Sequence, residues 1–79
     1  MSLPERLRDV FIEALELDAG VEVEKLNYRD IPQWDSLGHM ALVAAIEDRF
    51  SVQFDTDQLI DLSSFEVAEN MLRGFGVDD

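Results

Sequence analysis

One short stretch, Trp34-Asp35-Ser36-Leu37-Gly38-His39-Met40, holds most of the chemistry that the residue types of this chain allow. Ser36 opens what the spacing predicts to be the best amphipathic helix of the chain. Its hydroxyl therefore lies beside backbone N–H groups that a helix leaves without partners at its N-terminus. The positive end of the helix dipole favours anything anionic attached to that oxygen, so Ser36 is a candidate for carrying a phosphate ester. A competing chemistry is hydrolysis by Ser36 and His39, neighbours at i and i+3 on one helix. No third group, no Gly-rich oxyanion loop and little room for a cleft accompany that pair, so a hydrolase is not expected. The bland alternative makes Ser36 a polar residue of a first helical turn. Asp55-Thr56-Asp57 and Asp61 invite a calcium reading. The central Gly and closing Glu of a calcium loop are missing, so weak divalent binding by clustered acids is the most these residues offer and no dedicated metal site is expected.

Four helical segments must position these groups. The first is expected from about Pro4 to Leu17, with Ser2 and Glu5 at capping-box spacing and Pro4 in the first turn. Leu7, Val10, Phe11, Ala14 and Leu15 recur at helical spacing, and Asp18-Ala19-Gly20 should stop the helix. Between Val21 and Asp35 no single period holds, and Pro32 restricts the backbone. This reads as a long, partly packed loop with room for one short helical turn, a length at which loops are often functional. The second helix is expected over Ser36 to Phe50 with Asp35 as its N-cap. His39, Leu42, Val43, Ile46 and Phe50 form its core face. Leu37, Met40, Ala41 and Ala44 form a second apolar stripe, either a docking surface or a strip buried against the loop. Val52 and Phe54 should alternate inward before a short helix over Thr56 to Ile60. The last helix opens at Ser63-Ser64-Phe65-Glu66, with Ser63 and Glu66 at capping-box spacing; Phe65, Ala68, Met71 and Leu72 are its apolar face, and Gly74 ends it. Residues 75–79 read as a frayed tail, and Trp34 as a loop anchor on the core.

The expected fold is thus all-α: a single domain over residues 1–79, built from three main helices and one short one, with a long loop between helices 1 and 2. Its 79 residues lie near the lower limit for a self-sufficient core, without cysteines for disulfides or thiolate metal sites. A hydrophobic content of 47% is enough for a compact fold. Eighteen acids against six bases give a net charge of −12, a surface that repels nucleic acid and anionic membranes and attracts basic partners. No apolar run reaches membrane-spanning length, and the first residues lack the apolar stretch of a secretory signal, so a cytoplasmic location is expected.

Asp35-Ser36-Leu37, followed by a helix ending in Ile46-Glu47-Asp48-Arg49-Phe50, resembles the acyl carrier protein family. The resemblance extends over nearly the whole chain, through length, acidity and the order of the helices. It implies a four-helix carrier bundle in which Ser36 bears 4′-phosphopantetheine, attached by a phosphopantetheinyl transferase from coenzyme A with magnesium. The arm's thiol would hold acyl groups as thioesters for partner enzymes in fatty-acid, polyketide or related biosynthesis, the carrier itself doing no catalysis. By the same resemblance Asp35 helps to position the transferase's metal, and Leu37 and the acids of the second helix face acyl-loading and acyl-transferring enzymes with basic docking patches. The expected partner surface is Leu37, Met40, Ala41, Ala44, Glu47 and Asp48. The expected acyl-pocket residues are His39, Leu42, Ile46, Phe50 and Phe54. No metal ligand, no nucleic acid, no membrane insertion and a monomeric state complete the expectation.

The chain departs from the family pattern where fatty-acid members usually carry acids, at Gly38 and Ala41. Gly38 also weakens a helix by roughly 1 kcal/mol relative to Ala. These departures point to a specialised carrier serving a dedicated pathway. Two alternatives stay open: a peptidyl or aminoacyl carrier, and an unmodified acidic helical adaptor that binds protein through Leu37, Met40, Ala41 and Ala44. His39 reads as a half-buried, hydrogen-bonded histidine near the mouth of the bundle, or as a residue lining the entrance to an acyl cavity.

Overall fold

Helix boundaries in this chain follow from short-range hydrogen bonds that each segment makes with its own flanks. In the computed structural model, which describes residues 2–77, α1 spans Leu3–Leu15, α2 Ser36–Phe50, α3 Thr56–Asp61 and α4 Phe65–Gly74; a single 3₁₀ turn covers Val23–Lys25. Among the described residues there is no strand, only one isolated antiparallel bridge between Asn27 and Ser64. The expected all-helical arrangement, three longer helices and one short one with a loop between the first two, is the one observed.

Each helix begins on an oxygen-bearing side chain that accepts an otherwise unpaired first-turn N–H. Ser2 caps α1 through the Glu5 amide, Asp35 caps α2 through Gly38, and Asp55 caps α3 in a full capping box with Gln58. The cap of α4 is Ser64, which accepts from the Val67 amide at 3.2 Å, and not Ser63 as the spacing with Glu66 had predicted. Ser63 is engaged elsewhere: its carbonyl accepts the Tyr28 amide at 2.8 Å.

The three longer helices close alike, with one residue in the left-handed region and a bond from the next amide back across the last turn. At the end of α1 that residue is Glu16 (φ 55°), followed by Leu17 N–H donating to Ile12 at 2.9 Å. The helix thus stops two residues before the expected Leu17, on Glu16 and not on Gly20. At α2 the residue is Ser51 (φ 54°), with Val52 donating to Glu47. At α4 it is Gly76 (φ 92°), with Val77 donating to Leu72 at 3.0 Å. Phe75 also packs on Phe54, with ring centroids 5.6 Å apart. Of the expected frayed tail, Phe75–Val77 are therefore held in place, and 78–79 lie outside the described residues.

The buried side chains form one cluster, drawn from α1 (Leu3, Leu7, Val10, Phe11, Leu15), α2 (Leu42, Val43, Ile46, Phe50), α4 (Phe65, Ala68, Leu72) and the connections (Val23, Trp34, Phe54, Leu62). Within it Phe11 is edge-on to Trp34 at 5.4 Å and tilted against Phe65 at 5.2 Å. The helix α3 contributes no buried residue.

The connection from α1 to α2 is fastened at several points. The Arg8 guanidinium donates to the carbonyls of Ala19 and Val21, Val23 is fully buried, and Tyr28 and Asn27 pair with Ser63 and Ser64. Trp34 is fully buried as the expected anchor, and it brings the chain to Asp35 and Ser36.

Candidate functional site

Ser36 is the first residue of α2 and is exposed. Asp35 beside it adopts extended backbone, and its carboxylate accepts the Gly38 amide at 2.9 Å. The first-turn amides of Ser36 and Leu37 have no acceptor within the helix, so they face outward beside the hydroxyl. Two loop residues reach the same oxygen. The Tyr28 hydroxyl lies 3.1 Å from Ser36 Oγ, and the Arg29 guanidinium donates to it at 3.4 Å. The bond to Ser36, then Arg29, hold the Tyr28 phenol below its ordinary value of 10.0, while Tyr28 in turn raises Arg29.

A compact turn delivers these two side chains. The Asp30 carboxylate accepts the Asn27 amide at 2.8 Å, the Asn27 carbonyl accepts the Asp30 amide at 2.9 Å, and Arg29 N–H donates to the Trp34 carbonyl at 3.0 Å. Arg29 itself sits in the left-handed region (φ 72°), a conformation costly for any residue with a Cβ. Residues 29–32 with Trp34 and Asp35 border an open hollow of about 450 Å³ next to the Ser36 turn. Periodicity could not reveal Tyr28 and Arg29 as neighbours of Ser36, because they lie eight and seven residues upstream in an aperiodic loop. The Asn27-x-x-Asp30 spacing of a side-chain-stabilised turn was the available signal.

Gly38 has a different meaning from the helix-weakening one that its propensity implied. A Cβ built there would overlap the backbone carbonyl oxygen of Gln33 and press on Leu15 Cδ2 at 3.3 Å. The loop can cross the first turn of α2 at this height only over a glycine.

His39 links three elements. Trp34 Nε1 can only donate, so His39 Nδ1 accepts from it at 3.0 Å. The opposite nitrogen, Nε2, then carries the proton and donates to the Leu59 carbonyl of α3 at 3.0 Å. Tyr28 lies against the imidazole at 5.1 Å, and the Trp34 ring, bonded to it edge to edge, is nearly coplanar with it at 18°, with centroids 6.3 Å apart.

Between α2 and α3 opens a cleft of about 340 Å³, lined by Tyr28, His39, Met40, Leu59, Ile60, Leu62 and Ser63. Of the expected pocket residues only His39 lines it. Leu42, Ile46, Phe50 and Phe54 are spent on the core instead, where each is buried among its neighbours.

The expected partner surface is placed as follows. Leu37 is 83% and Met40 58% exposed, Ala41 and Ala44 are exposed, and the stripe is not buried against the loop. Ile60 of α3, 74% exposed, adds an apolar residue that helical spacing did not single out. Asp48 is exposed, but Glu47 is half-buried and its carboxylate accepts the Phe54 amide at 2.8 Å, tying α2 to its following connection. Asp55 is engaged as the α3 cap, and among the described residues no group of three or more His, Asp or Glu side chains is placed to hold a metal ion.

No family model, no curated protein and no solved structure matches the chain. No helix among the described residues is long and apolar enough to cross a membrane. Chemically, the arrangement presents one exposed hydroxyl at a helix start, flanked by a guanidinium, a phenol and two outward amides. Such a donor set suits an anionic group attached to the oxygen better than it suits nucleophilic catalysis, since His39 has both nitrogens engaged away from Ser36.

Proposed function

We propose that the protein is a non-enzymatic acyl carrier, with Ser36 as the attachment point of a 4′-phosphopantetheine arm. The observation that carries this reading is the exposed Ser36 hydroxyl at the capped start of α2, within reach of Arg29 and Tyr28. The Asp35-Ser36-Leu37 motif, in a four-helix chain of net charge −12, supports it. The residues fit the group: the outward amides of Ser36 and Leu37 and the Arg29 guanidinium would hold its phosphodiester, and the thiol of the arm supplies thioester chemistry. Acyl intermediates of fatty-acid, polyketide or related biosynthesis are the cargo class, and an aminoacyl cargo is the closest variant. Enzymes with basic patches would dock on Leu37, Met40, Ala41, Ala44 and Asp48 with fast, salt-sensitive association. Glu47, the remaining residue of the expected surface, is its weakest member, because one of its oxygens already serves Phe54.

The exposed Leu37, Met40 and Ile60 favour a second reading, an adaptor that binds protein through this apolar strip without modification. Intact-mass spectrometry separates the two after incubation with coenzyme A, magnesium and two broad-specificity phosphopantetheinyl transferases. The carrier reading expects one phosphopantetheine on the native chain and none on Ser36→Ala. A folded native chain that gains no mass, beside a control carrier that does, leaves the adaptor, whose binding Ser36→Ala should not disturb.

A further inference from the structure

Six residues of the chain are basic, and the structure accounts for five of them without a ligand. Arg8 pairs with Glu24 at 3.8 Å, Lys25 with Glu22 at 3.0 Å, Arg49 with Glu13 at 3.1 Å and Arg73 with Glu69 at 2.9 Å. Arg6 lies over the Phe50 ring at 4.8 Å. Arg29, like Arg6, has no carboxylate within ion-pair distance among the described residues, in a chain with eighteen acids, but it alone of the six contacts Ser36. Its guanidinium sits over the Tyr28 ring at 5.3 Å and reaches the neutral Ser36 hydroxyl at 3.4 Å, a long bond to a weak acceptor.

We propose that Arg29 is a positioning residue for the group on Ser36, pairing with the phosphodiester once it is attached and fixing the direction in which the arm leaves α2. The inference rests on the Ser36 attachment reading. A phosphodiester adds anionic oxygens next to an atom that Arg29 already contacts, converting a weak bond into a charge-assisted one with room for a second prong. Lys would supply the charge but not the planar fork. Esterification also removes the Ser36 hydroxyl proton. The Tyr28 hydroxyl then has to act as the donor toward this centre, so Tyr28 and Arg29 would grip the loaded group from the same side. The left-handed backbone of Arg29, tied to Trp34 by its own amide, fixes the point from which its side chain leaves the loop.

The test uses the full chain, native and as Arg29→Lys and Arg29→Gln, before and after transferase loading confirmed by intact mass. The Arg29 Nε–H resonance should shift on loading of the native chain, a readout that needs no variant. The ³¹P resonance of the loaded native chain should move as NaCl is raised and the pair is screened. That salt response should be lost in Arg29→Gln and partly kept in Arg29→Lys. A loaded native chain whose Nε–H signal stays in place, with the same ³¹P salt response in Arg29→Gln, overturns the pairing alone and leaves Arg29 as a side chain stacked on Tyr28. A native chain that gains no mass while a control carrier does overturns the attachment reading, and the pairing with it.

Discussion

At the scale of single residues, the two side chains that report most directly on the site are Tyr28 and His39. Bonds from Ser36 and Arg29 favour the phenolate and lower the Tyr28 titration below 10.0. Tyr28 is the only tyrosine, so phenolate absorbance follows it alone. The titration should begin earlier than that of free tyrosine, and Ser36→Ala or Arg29→Gln should return it toward the ordinary value. The sign for stability follows from linkage: a depressed acid stabilises the fold above the unfolded value and loses that contribution as pH falls through the folded one. Tyr28 ionisation thus contributes nothing at neutral pH and something only in alkaline solution. His39 acts through neutral hydrogen bonds. Replacing it by Ala leaves the buried Trp34 Nε1–H and the Leu59 carbonyl without partners, for a loss of about 2 kcal/mol in urea denaturation. An unchanged midpoint would mean that water replaces both bonds.

Among the elements, the contact of the loop with the first turn of α2 decides the most. Helix propensity alone says that Gly38→Ala should stabilise by roughly 1 kcal/mol. The Gln33 carbonyl occupies the space that a Cβ would need, so the expected outcome has the opposite sign, a destabilised chain with the Asp35–Ser36 turn displaced. Thermal denaturation of Gly38→Ala gives the sign directly, and a raised Tm would contradict the close approach. The same contact marks where sequence reading succeeds and fails. The bounds of α2 were legible because Asp35 caps it and its core-facing residues recur at helical spacing. With a second apolar strip on its exposed side, it is nonetheless the least amphipathic of the three longer helices, and not the most, as the spacing had predicted. The stripe of Leu37, Met40, Ala41 and Ala44 was legible from the same spacing, but whether it faced solvent or the loop was not. Gly38 was not, since its requirement comes from a loop carbonyl five positions upstream whose path carries no period. Nor were Tyr28 and Arg29, whose approach to Ser36 depends on a turn held by Asn27 and Asp30. The choice of Ser64 over Ser63 as a cap was equally hidden, because the Ser63 carbonyl is committed to the loop.

For the molecule as a whole, charge is the leading influence. A net charge of −12 on 79 residues sets up self-repulsion, against which stand four ion pairs, each with at least one partly exposed partner. Such pairs are worth about 0–1 kcal/mol each and are screened by salt along with the repulsion. Repulsion should prevail, so the Tm should rise as NaCl is added; a fall would show that the pairs outweigh it. The gain should be general and not confined to the site, because the acids are spread along the whole chain. A last consequence follows from where the scarce aromatic groups lie. The only tyrosine, the only tryptophan and the only histidine form one cluster, with Tyr28 6.3 Å from Trp34 and both rings against His39. Light absorbed by Tyr28 therefore passes to Trp34 over a single contact. Nearly all the intrinsic emission of the protein originates in the few residues around Ser36. A change in its colour or lifetime is a local signal, read without a label, of whatever happens at that one hydroxyl.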